Sequence, residues 1–247
     1  MSSHISPAII MRIKEFGESD LLVSFFTADK GRLKGVAKAA RKSRRRFANC
    51  LDLFCLANIE YELKGKSDLY FLHSGKLVHA FPALRSDFSS LSLASYMIEL
   101  TETLFPPQVA DRKMFELLKG SFLGISEGAK NDRVRIIFEA KAMALGGYGI
   151  DFDRCCNCRR PYTGEGRAVF LPSRGGISCL RCGHESALSP GLSPDAVKGI
   201  NIIQSGTWNT IKGVPLPDEL IEEIGQVLAL HIEYRVGRRL KSAEYLK

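Results

Sequence analysis

No run of about eighteen apolar residues occurs in the 247-residue chain, which excludes a membrane-spanning helix. Met1 to Pro7 has neither a basic n-region nor a long apolar h-region, so no secretory signal is expected. Without export, the seven cysteines point to a reducing cytoplasm, where thiols hold metal more often than they form disulfides. Internal repeats and low-complexity tracts are absent as well. An apolar content of 45% is ordinary for a globular protein with a real core.

Acidic residues are missing where cations are densest. The seventeen positions from Lys30 to Arg46 hold nine Lys or Arg and not one Asp or Glu. The whole chain carries +8, so everything outside this window sums to −1. Such an element repels itself unless a polyanion lies against it. Clustered Lys and Arg meet phosphate backbones in this way, releasing condensed counterions. The complete lack of carboxylates favours a nucleic-acid contact over a merely solvated loop.

Enzyme signatures are missing too. Gly65-Lys66-Ser67 resembles the end of a phosphate-binding P-loop, but position 60, where that motif needs glycine, is Glu60. His184-Glu185 would need histidine at 188 for a zincin helix, and that residue is Leu188. Asp151 and Asp153 form a carboxylate pair, read as shaping the approach to neighbouring cysteines rather than binding magnesium. Nothing resembles a nucleophile elbow, so no enzymatic activity is expected.

What is present divides by period. Ala8–Phe16, Leu21–Thr27 and Arg32–Ala37 read as strands joined by turns at 17–20 and 28–31. Leu53, Cys55, Ala57, Ile59, Tyr61 and Leu63 are apolar at every second position, the pattern of a half-buried strand. Lys64–Ser67 supplies a turn and Leu69–His73 a return strand, giving a small barrel or sandwich. Phe25 and Phe26 fall on opposite faces of their strand, so one is expected in the core and the other accessible. Past Phe81-Pro82 the spacing becomes helical over Phe88–Leu104, Arg112–Ile125 and Asp132–Leu145. In the last of these Val134, Ile137, Phe138 and Leu145 recur at helical spacing. Asn131 is the expected N-cap there and Gly146-Gly147 the stop. Ser193-Pro194 opens a helix that ends near Gly206. Ile221, Ile224, Leu228 and Ile232 mark a terminal helix whose cations Arg235, Arg238, Arg239 and Lys241 suit the helix dipole.

Between the helices lie Cys155-Cys156-Asn157-Cys158 and, twenty residues on, Cys179-Leu180-Arg181-Cys182. Two C-x-x-C pairs at this separation match a tetrahedral zinc site of Cys155, Cys158, Cys179 and Cys182. Cys156 and His184 are the rival ligands. Four thiolates leave no coordination place for activated water, so one structural Zn2+ is expected. Cys50 and Cys55 lack partners at this spacing and read as buried apolar residues.

Several stretches together resemble the RecO family of recombination mediators. Phe16-Gly17-Glu18-Ser19-Asp20 followed by Leu21–Thr27 is similar to that family's first hairpin, and Lys30–Ala37 runs into the basic arm. Ala80-Phe81-Pro82-Ala83-Leu84 and Ala94-Ser95-Tyr96 begin the helical part. The four-cysteine insert and Gly237–Ser242 complete a match over nearly the whole chain. The resemblance implies an α+β multidomain protein: an N-terminal OB-fold barrel at 1–80, then a helical domain at 81–247 interrupted by a zinc segment at 151–189. It further implies binding of single- and double-stranded DNA, strand annealing, and joint action with RecR and, in some pathways, RecF. In that role such proteins help load RecA on strands coated by single-stranded-DNA-binding protein (SSB), in the bacterial cytoplasm at the nucleoid. One departure is Ala39, where the family leads one to expect glycine.

On this reading Arg32, Lys34, Lys38, Arg41, Lys42, Arg44, Arg45 and Arg46 are the expected phosphate contacts. Phe47 is read first as an anchor returning the arm to the core and second as a stacking platform. The acidic, apolar tail of SSB is expected on the helix bearing Arg133, Arg135, Ile136 and Ile137, which pairs cations with an apolar edge. Three competing readings are an interaction scaffold without annealing activity, a zinc-ribbon nuclease, and an RNA-directed OB protein.

Overall fold

Alternation builds the first unit. In β4 (Leu56–Leu63), Ala57, Ile59 and Tyr61 are fully buried while Asn58, Glu60 and Glu62 are only half-buried. The other strands are β1 (His4–Phe16), β2 (Asp20–Thr27), β3 (Gly31–Ala37) and β5 (Leu69–His79). In the computed structural model, which describes residues 3–43, 45–63 and 68–246, they close into a barrel of order β1-β2-β3-β5-β4. Every pairing is antiparallel except that of β3 with β5. This is the OB-fold arrangement expected from the sequence. Closure removes the exposed edges that an open sheet would present.

Details of the barrel differ from the alternation pattern for local reasons. Phe54 takes φ 69° and breaks the extended run, so β4 begins at Leu56 and Leu53 lies outside it, 39% exposed. Strand β5 continues to His79, six residues past the expected end, because Gly75 lets it cross the arm's root. A Cβ there would sit 2.6 Å from Cys50 Sγ. Phe25 and Phe26 are both fully buried, which corrects the expectation that one is accessible. Phe25 belongs to the barrel core, and β2 also packs against a helix, α2 (Arg112–Ser126). The turn expected at Lys64–Ser67 lies outside the described residues.

Helices α1 (Phe88–Leu104) and α2 start on aspartate caps: Asp87 accepts from the Ser90 amide and Asp111 from the Met114 amide. Phe122 of α2 meets Phe54 and Phe81 edge-on, each at 5.7 Å between ring centres. These contacts hold α2, on which α1 packs. By compactness the chain divides between Gly128 and Ala129, so that both helices belong to the first unit.

The second unit contains α3 (Asn131–Leu145), α4 (Pro194–Ser205), α5 (Trp208–Ile211) and α6 (Asp218–Val236). A small sheet accompanies them, ordered β7 (Gly176–Cys179), β6 (Ala168–Leu171), β8 (Gly191–Leu192). Helix α3 packs against α4 and α6, and Val134, Ile136, Ile137 and Phe138 are buried in it. Its N-cap is Lys130 without a side-chain cap bond, not Asn131, which is already helical. Helix α4 starts on Ser193, whose hydroxyl accepts from the Ala196 amide, with Pro194 in the first turn. Helix α6 stops at Gly237, whose φ of 72° is the left-handed cap, so of its expected terminal cations only Arg235 lies inside the last turn. No described helix is long and apolar enough to cross a membrane.

Candidate nucleic-acid interface and four-cysteine centre

The basic arm begins on β3 and leaves the barrel through a 3₁₀ turn, Ala40–Lys42. Lys34, Lys38, Arg41, Lys42, Arg45 and Arg46 are all exposed. Arg44 lies outside the described residues. Among the described residues Lys34, Lys42 and Arg45 have no carboxylate partner. Arg41 pairs with the exposed Glu15 at 3.1 Å, a contact worth little at the surface. Arg46 donates to the Lys38 carbonyl at 2.6 Å and lies over the Phe47 ring at 5.2 Å. Phe47 itself is 5% exposed, so it anchors the arm to the core rather than offering a stacking face.

Arg32 departs from the rest. Its side chain is only 18% exposed and lies 3.9 Å from Glu102, which also binds Arg12 at 2.6 Å. The half-buried Glu102 carboxylate is thus shared by two guanidinium groups and links Arg32 of β3 to α1, a contact seventy positions away in sequence.

On α3 the apolar positions face inward. Ile136 and Ile137 are 0% and 2% exposed, held in the packing of the second unit. Arg133 donates to the backbone carbonyls of Lys212 and Val214, and Arg135 lies 3.7 Å from Asp132. All four residues take part in the packing or hydrogen bonding of the second unit.

The four cysteines converge. The sulfurs of Cys155, Cys158, Cys179 and Cys182 all lie within 4.8 Å of one another, and Cys158 and Cys179 are 3.8 Å apart. A tetrahedron with metal–sulfur bonds of about 2.3 Å has edges of about 3.8 Å, so the set fits one tetrahedral ion. The two knuckles close alike: Arg159 donates its amide to the Cys155 carbonyl at 3.0 Å, and Gly183 donates to the Cys179 carbonyl at 3.1 Å. Arg159 takes φ 62° to complete the first turn. Cys156 and His184 stand outside the cluster. Asp151 accepts from the Asp153 amide at 2.9 Å and bridges Gly176, shaping the backbone that leads to the knuckle.

The electrostatics of this group suit a cation. Burial opposes ionisation of Cys155, but the amides of Cys158, Cys179 and Asn157 and the Ser178 hydroxyl prevail and bring its thiol down to about 5. Cys179 is also lowered against the cost of its own burial by the Arg181 amide and by thiol contacts. Cys182 shares protons with Cys158 and Cys179 and is pushed up to about 12. Four close sulfurs cannot all ionise unaided, and a divalent ion removes that conflict. By contrast, burial pushes the Cys50 thiol up to about 11 and raises Cys55, as expected of apolar core thiols.

Comparison with known proteins agrees with this arrangement. The family described as recombination protein O, N terminal, matches residues 1–81, and recombination protein O, C terminal, matches residues 85–244. The DNA repair protein RecO of Syntrophus aciditrophicus is 30% identical over 248 residues, spanning 99% of this chain and 95% of that protein. That of Desulfatibacillum aliphaticivorans is 33% identical over 244 residues, spanning 97% and 95%. That of Clostridium kluyveri is 32% identical over 242 residues, spanning 97% and 91%.

Proposed function

The chain belongs to the RecO family, and from that premise we propose that it is a non-enzymatic mediator of recombinational DNA repair. On this proposal it binds single- and double-stranded DNA through the arm and anneals complementary strands. It acts with RecR, and in some pathways RecF, to help load RecA on SSB-coated strands. The observation that carries the DNA contact is the arm itself. Six exposed cations project from a closed five-strand barrel, and three of them face no carboxylate among the described residues.

Annealing follows from charge. Two phosphate backbones repel each other, and a cationic element that screens both lowers the barrier to pairing without any bond chemistry. Phosphate contacts carry no sequence information, so the activity should depend on salt and little on sequence. The four-cysteine centre is proposed to hold one Zn2+. Its role is to staple a segment that has little core of its own, and four thiolates leave no site for activated water. RecR, RecF and the SSB tail are proposed on family grounds, and no surface of either unit is assigned to them.

Annealing of complementary oligonucleotides coated with SSB, measured with and without ATP, tests the proposal. Equal annealing in both conditions is expected, since no phosphate-cradling loop is present among the described residues. A requirement for ATP, or no annealing at all, would contradict it.

A further inference from the structure

An open cleft lies where the arm rejoins the barrel, with a volume of about 470 Å³, within the usual range of ligand pockets. Phe47 and Leu51, almost fully buried in the barrel core, close its base, and the half-buried Ile13 and Leu21 give it its accessible apolar surface. Its polar rim carries Arg41, Ser43, Asn49 and Asp52, and Arg41 is paired there with the exposed Glu15. Lys42 and Arg45, exposed and without carboxylate partners, are adjacent in sequence to this rim. The apolar surface of Ile13 and Leu21 disfavours a phosphate, the Asp52 carboxylate repels one, and Arg41 is already paired with Glu15. A neutral planar group with amide-like edges suits both floor and rim, and the neighbouring cations suit the phosphates on either side of it.

We propose that this cleft receives an unstacked nucleobase from a DNA strand whose backbone lies on the arm. This inference rests on the arm being the DNA contact. It supplies what the arm alone lacks, a reason to prefer one strand form. A single strand offers its bases freely, whereas a duplex must first pay to unstack and unpair one. Asn49 and Asp52 offer hydrogen-bond groups to the base edge, and the half-buried Ile13 and Leu21 take part of the base face out of water. Contacts between bases and such surfaces are sequence-tolerant, in keeping with a mediator that serves any strand.

The test compares oligonucleotides of equal length with and without bases, the latter made of abasic sugar phosphates. Three forms of the full-length protein are used: the native chain, Ala48→Trp and Ala48→Leu. Ala48 lines the cleft and is exposed, and a larger side chain there fills the space. The native chain should bind the base-bearing strand about tenfold more tightly than the abasic one. Each filling variant should lose that ratio while keeping the native affinity for the abasic strand. Equal native affinity for the two strands would overturn the proposal, as would a ratio that survives in both variants. Failure of the native chain to bind either strand at low salt would instead remove the arm as the DNA contact.

Discussion

The backbone amide of Ala39 donates to the Asp20 carboxylate at 2.7 Å while Ala39 itself sits at φ 52° and ψ 27°, in the left-handed region. The bond ties the root of the basic arm to the first residue of β2, across the β1–β2 turn. An alanine holds this conformation against its own Cβ, at a cost of about 1–2 kcal/mol.

Ala39→Gly should therefore stabilise the first unit by about 1 kcal/mol, less the entropy that glycine adds to the unfolded chain. Denaturant titration checks this. A loss of stability would mean that the left-handed turn carries no strain.

Removing the metal should act on the second unit alone. Chelation is expected to expose the segment between Cys155 and Cys182 to protease while the barrel stays folded. Acid should have the same effect. The Cys155 thiol is depressed to about 5, so the thiolate's contribution is complete above the ordinary thiol range and is lost as pH falls through that value. Limited proteolysis at stepped pH, read by mass spectrometry, checks both. A segment that resists cleavage after chelation would rule out a structural ion.

A second pH dependence lies at His231. The residue is fully buried, its Nε2 donates to the Tyr148 carbonyl at 2.6 Å, and its Nδ1 has no partner among the described residues. Burial lowers its pKa, the Tyr148 contact opposes that shift, and the charge of Arg235 adds to it. A depressed folded pKa means that the neutral form stabilises the unit above the ordinary imidazole value and that this contribution is lost on acidification. Stability should fall as pH drops below about 6.5. His231→Gln should flatten the profile, and a profile unchanged by that substitution would exclude this histidine as its source.

The barrel was legible because its period is local. Ala57, Ile59 and Tyr61 announce the inner face of β4 without knowledge of any partner strand. The cysteine centre was legible for the same reason, since C-x-x-C spacing fixes the geometry of each knuckle before the two meet. The surroundings of Arg32 and of the α3 residues were not legible, because they depend on distant neighbours. Glu102 takes up Arg32, and the packing of α4 and α6 on α3 buries its apolar positions all round instead of leaving a stripe. The small sheet β7-β6-β8 escaped notice because its strands are four residues or shorter. The docking of α2 involves aromatic contacts such as Phe122 with Phe54, which no sequence period encodes.

Neutralisation of DNA phosphates by the exposed cations of the arm is the central claim. The direct test is the salt dependence of single-strand binding by the native chain and by a Lys34→Gln, Lys42→Gln, Arg45→Gln triple variant. Each lost contact should reduce the slope of log K against log salt by about 0.7, so the variant's slope should be shallower by about 2. Identical slopes would show that these side chains do not meet the phosphates, and the account would fail.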